Sequence, residues 1–97
     1  MTNVYELDGR KLSALPEAHD YLKDMLGFPD YYGKNLDALF DLLTEVSRET
    51  IIWVTHYEMM HPKLERTFTD AMGENPHLTV MALDEDEAED YGTEEYR

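Results

Sequence analysis

Cysteine is absent from this 97-residue chain. That excludes disulfide staples and thiolate metal sites, and it suits a reducing compartment at least as well as an oxidising one. Long apolar runs are absent too: no stretch approaches the length that spans a bilayer, and the first residues hold no basic segment leading into an apolar one. Neither a membrane anchor nor a classical export signal is expected, and the cytoplasm is the expected location. Positive charge is scarce, with 8 Lys and Arg against 22 Asp and Glu and a formal net charge of −14. Phosphate backbones and anionic membranes would repel such a surface, so neither nucleic acid nor membrane is an expected partner. The imbalance fits a basic partner, or it serves solubility alone.

Eight of the acidic residues lie in 84–97 against Arg97 alone, yet residues 1–83 still hold 14 acidic and 7 basic side chains. The chain has no internal repeat, and its size fits one domain with a modest core. One domain is expected over 1–83. Residues 84–97 read as an acidic tail with too little apolar content to pack, hence disordered.

Val4-Tyr5-Glu6-Leu7 reads as a short strand ending at the turn pair Asp8-Gly9. Pro16 then opens a helix on which Ala18, Leu22, Met25 and Leu26 recur at helical spacing until Gly27 stops it. Residues 28–33, Phe-Pro-Asp-Tyr-Tyr-Gly, form an aromatic loop. A second helix is expected from about Lys34 to Val46, with Leu36, Leu39, Phe40, Leu43 and Val46 on one side and Lys34, Asp37, Ala38, Asp41 and Glu45 on the other. Thr50-Ile51-Ile52-Trp53-Val54 has the continuous apolar, β-rich character of a buried central strand, with Trp53 in the core. From Tyr57 the pattern is helical, broken at His61-Pro62 and ending between Gly73 and Pro76, with Leu64, Phe68, Ala71 and Met72 facing inward. Residues 78–83 make the last strand. Strands alternating with helices imply a parallel sheet, because parallel neighbours need crossover connections.

The chemistry concentrates in Pro29-Asp30-Tyr31-Tyr32-Gly33-Lys34-Asn35-Leu36-Asp37-Ala38-Leu39-Phe40-Asp41. Asp37 and Asp41 stand four apart, so a helix sets their like charges side by side on one exposed face, at a cost unless a cation arrives. Tyr31 and Tyr32 are rigid amphipathic rings of the kind that anchor interfaces. Spacing alone leaves two readings open. The acids and tyrosines form a protein-binding patch, or the acids are a solvated helix face while the tyrosines cap the core.

The run from Tyr31 to Asp41 resembles the signature segment of the barstar family, in which a Pro-acid-Tyr-Tyr-Gly loop leads into an Asn-Leu-Asp-Ala-Leu-aromatic-Asp helix. Leu12, Leu15, His19 and Leu22 also fall where that family's first helix has similar residues. The likeness extends over roughly residues 3 to 83 and is weakest between Trp53 and Phe68. It implies an α/β, barstar-like fold, a three-stranded parallel sheet packed against three to four helices. It also implies a ribonuclease inhibitor that is monomeric when free and binds a basic, extracellular-type ribonuclease. By position in the motif, Tyr31, Gly33, Asn35, Leu36, Asp37, Phe40 and Asp41 would be contact residues. Asp41 would be the deepest anchor, standing where substrate phosphate would sit, and Asp37 would pair with a second cation. Gly33 would let the backbone approach the partner, and Asp70 on the last helix corresponds to a further acidic contact.

Three departures from the family pattern are visible. Phe40 replaces the common Trp, Leu42 stands at a position where barstar has cysteine, and the connection after the central strand is shorter. The family's third helix is therefore expected to shrink to a turn or short helix around Tyr57 to Met60. Other features add little. His19, His56, His61 and His77 are scattered and read as surface or half-buried residues, and Met25, Met59, Met60, Met72 and Met81 read as flexible core filler. No nucleophile, phosphate-binding glycine loop or metal ligand set accompanies the aspartates. No catalytic residue, metal or cofactor is expected, and the chain is read as a non-enzyme. An immunity protein or antitoxin on the same scaffold, aimed at a toxin other than a ribonuclease, is the competing reading.

Overall fold

The helices begin and end where their unpaired backbone groups find partners. The computed structural model describes residues 2–83 and holds three strands and three α-helices in the order β1 (Asn3–Asp8), α1 (Leu15–Leu26), α2 (Leu36–Thr44), β2 (Thr50–Thr55), α3 (Pro62–Glu74) and β3 (Leu78–Leu83). The expected tail, 84–97, lies outside the described residues. In α1, Pro16 occupies the first turn, and Gly27, left-handed at φ 69°, closes the end by donating its N–H to the Lys23 carbonyl. Helix α2 is shorter at both ends than its apolar periodicity predicts. Lys34 is left-handed at φ 56° and cannot join the helix, while Asn35 caps it by accepting the Ala38 N–H at 2.8 Å. Helix α3 runs through Gly73 and stops only at Glu74.

The strands form one sheet in the order β1-β2-β3, all parallel, with Leu7 beside Val54 and Val54 beside Ala82 in register. The α/β fold inferred from strand–helix alternation is thus present. Where the third helix of the resemblance was expected to shrink, only a 3-10 turn at Tyr57–Met59 remains. A second 3-10 turn, Gly9–Leu12, follows β1. Gly9 is needed there for a close approach, since a Cβ on it would lie 2.1 Å from the His56 carbonyl oxygen and 2.6 Å from that of Thr55.

Leu7, Ile52, Val54, Leu78 and Val80 from one sheet face meet Ala18, Leu22, Leu39, Leu43, Leu64, Phe68 and Ala71 from the helices in a single core. Burying each large apolar side chain contributes roughly 1.5–3 kcal/mol. The alternate strand residues point the other way, and two expectations are corrected. Trp53 is half-buried and stands outside that core, beside Glu6 and Met81 on a sheet face where Val4 is 60% exposed. The apolar run of β2 marks a central strand, but the period-2 pleat sends Thr50, Ile52 and Val54 inward and Ile51 and Trp53 to the other face. Among the methionines Met60 is buried and Met72 packs against the core, whereas Met25, Met59 and Met81 are exposed. No helix among the described residues is long and apolar enough to cross a membrane.

Candidate functional site

The loop between α1 and α2 sends its two adjacent tyrosines in opposite directions. Tyr32 donates its backbone N–H to the Pro29 carbonyl at 3.0 Å, a tight turn that tucks its ring inside. There it is 5% exposed, packs on Phe28 with ring centroids 4.9 Å apart, and places its hydroxyl 2.6 Å from His19 Nδ1. Burial pushes the Tyr32 phenol up to about 12, so it stays protonated at neutral pH, and the imidazole tautomer sets which of the two groups donates in its hydrogen bond with His19. Tyr31 is 81% exposed. The core-capping reading therefore holds for Tyr32, while Tyr31 stands exposed in solvent.

His19 is a correction to the expectation that the histidines are surface or half-buried, since it is 4% exposed. The reason is its partner, because a buried imidazole is tolerated when the Tyr32 hydroxyl satisfies its Nδ1. Desolvation lowers its pKa below the ordinary value, against a weaker opposing pull from Asp20. His56 and His61 are half-buried and His77 is exposed, as expected. His61 accepts the Lys63 N–H at the start of α3. Among the described residues no group of three potential ligands could hold a metal ion.

On α2 the residues separate by helical period. Leu39 and Leu43 are buried, Leu36 and Phe40 are half-buried against the core, and Asp37, Asp41 and Glu45 are exposed at successive four-residue steps. Asp37 lies in the first turn, where the helix dipole favours a carboxylate. Asp41 and Glu45 stand toward the negative end, and no basic side chain occupies the last turn to offset them. The nearest lysine in sequence is engaged elsewhere, for Lys34 Nζ lies 2.8 Å from Asp20 Oδ1 on α1. That pair is exposed on both sides, and each partner reinforces the charge of the other. The face is left with unbalanced negative charge.

The remaining expected contact residues fall around this face in different roles. Asn35 is exposed, but both halves of its amide are engaged, its oxygen capping α2 and its nitrogen 3.3 Å from the Gly33 carbonyl oxygen. Gly33 is exposed, and the left-handed residue is its neighbour Lys34. A Cβ on Gly33 would come 3.2 Å from the Asn35 side-chain nitrogen and so press on the cap. Asp70 is exposed on α3, the helix that packs against α2. An open groove lined by Leu15, Pro16, His19, Lys34, Leu36 and Asp37 runs between the starts of α1 and α2. The carboxylate row, with Asp37 at the edge of the open groove, is suited to a macromolecule that carries cations.

Two residues important to this arrangement carried no functional signal in the sequence reading. His19 was visible only as one of four scattered histidines and as a position shared with the family's first helix. Asn75 was visible only as part of the stop before Pro76, yet it is 4% exposed and reaches the end of α2.

The family model described as Barstar (barnase inhibitor) matches residues 2–76. A curated relative, "Putative ribonuclease inhibitor YrdF" of Bacillus subtilis (strain 168), is 60% identical over 38 residues, which cover 39% of this chain and 42% of that protein. The chain thus matches less than half the length of that relative.

Proposed function

This chain belongs to the barstar family, a family of ribonuclease inhibitors, and on that premise we propose that it binds a secreted, basic ribonuclease and blocks its active site. The observation that carries this reading is the exposed row Asp37 and Asp41 on α2, preceded in the chain by the exposed ring of Tyr31. Asp41 is the central anchor, its carboxylate taking the place of a substrate phosphate among the enzyme's cationic side chains. Asp37 meets a second cation, and Asp70 adds an acidic contact from α3. Tyr31, Leu36 and Phe40 supply apolar area around the charges. Gly33 and Asn35 hold the loop and the helix start in shape, and Gly33 leaves room for the partner's approach. The protein acts by occupancy, in the cytoplasm before the enzyme is exported, and is a monomer when free.

The test is inhibition of RNA cleavage by barnase with the parent protein and with Asp41→Ala. The parent should inhibit, and the substitution should weaken binding by at least about 2 kcal/mol, the general scale of an interface hot spot, for which barstar is itself a reference case. An Asp41→Ala protein that inhibits as well as the parent removes the assignment. Capture of secreted proteins from the source cell identifies the natural target. A tightly captured protein without nuclease activity would replace this reading with an immunity protein against another toxin.

A further inference from the structure

Asn75 joins the end of α3 to the start of β3 and is almost fully enclosed. Its side-chain nitrogen donates to the carbonyl oxygens of Leu43 and Val46, each at 2.9 Å, and lies 3.4 Å from that of Thr44. Its side-chain oxygen accepts the His77 N–H at 2.9 Å, and its backbone N–H donates to the Ala71 carbonyl. An α-helix leaves its last carbonyls without donors of its own. No basic side chain in the last turn of α2 serves them. Asn75 supplies the donor from the far end of another helix.

We infer that Asn75 is a positioning residue for the proposed binding helix, fixing the C-terminal end of α2 against α3 and so setting where Asp41 and Phe40 stand for a partner. This rests on the inhibitor reading given above. A helix of nine residues is too short to be stable by itself, so its attachments decide its orientation. Asn35 holds one end and Asn75 the other. Asn75 is buried, so its effect on a partner passes through α2. Charge-assisted contacts depend steeply on distance and angle. A helix free to tilt at the Asp41 end therefore spends part of its time with its anchor misplaced.

Two substitutions separate this role from general stabilisation. Asn75→Asp keeps an acceptor for the His77 N–H, removes the donor to the α2 carbonyls and adds negative charge. Added negative charge by itself favours association with a basic partner, so weaker binding by this variant has to come from geometry. Asn75→Ala removes both functions without adding charge, and it carries the measurements if the Asp variant does not fold. Amide hydrogen exchange is followed in the free protein, and dissociation from barnase is followed under conditions where every variant is folded. We expect faster exchange in the last turns of α2 and dissociation at least about tenfold faster. Unchanged exchange in α2 overturns the clamp whatever the partner. Faster exchange with unchanged dissociation overturns the positioning role. If the parent fails to inhibit barnase, the inhibitor reading fails there, and the exchange measurement alone decides whether Asn75 clamps α2.

Discussion

Replacing Tyr32 with Phe removes one oxygen from the loop that precedes the proposed binding helix and leaves almost everything else in place. The ring stays buried and keeps its packing on Phe28, so the apolar contribution is nearly unchanged. What is lost is the 2.6 Å hydrogen bond to His19 Nδ1. In water either partner would bond to solvent, so the exchange would be worth about 1 kcal/mol. His19 is 4% exposed and has little water to turn to, so the penalty for a stranded buried polar group applies, roughly 1–3 kcal/mol. For a domain near this size each kcal/mol lowers the melting temperature by about 4–8 °C. Tyr32→Phe should therefore melt on the order of 10 °C below the parent at pH 8, where His19 is neutral. Calorimetry and urea titration both measure this, and the urea m-value should not change because the exposed surface is the same. A variant within about 0.5 kcal/mol of the parent would mean that the Tyr32–His19 contact does not hold the loop.

Three further outcomes follow from named groups. Gly9→Ala sets a Cβ 2.1 Å from a backbone oxygen and should cost about 1–3 kcal/mol or more through forced backbone movement; urea unfolding at unchanged stability would show that the junction between the two 3-10 turns yields freely. His19 has a folded pKa below its ordinary value because burial disfavours the cation, so as pH falls the unfolded chain takes up the proton first. Its contribution is complete above about pH 6.5 and declines as pH drops from there toward the folded value. Denaturant titrations from pH 8 to 5 should show this decline, and His19→Gln should remove that part of it. Association with a ribonuclease should slow as salt rises, because screening acts within about 10 Å at 0.1 M; barnase and barstar are themselves the reference pair for such steering. A stopped-flow on-rate independent of salt would argue against a charge-led encounter.

Much of the fold was legible because local chemistry and tertiary context agree. Pro16 and Gly27 bound α1 from sequence and in the structure, since a fixed φ and a left-handed cap act within a few residues. The last strand was read at its observed limits, Leu78–Leu83. The ends of α2 were read too generously. Periodicity reports which residues face the core, but not that Lys34 is held left-handed beside an ion pair to α1, nor that a distant asparagine takes the final carbonyls. Trp53 misled for a related reason: an apolar run identifies a central strand without saying how many of its faces are covered.

By itself the sequence determined the alternation of strands and helices, the acidic balance, and the motif from Tyr31 to Asp41 that places the chain in its family. These are properties of composition and of order along the chain. Only the tertiary structure decided which of two adjacent tyrosines is buried and which is exposed, that His19 is enclosed, and that Asn75 ties α2 to α3. Each depends on groups 13 to 32 residues apart in the chain meeting within hydrogen-bond distance. Such meetings are fixed by how the helices pack on the sheet, which no local pattern encodes.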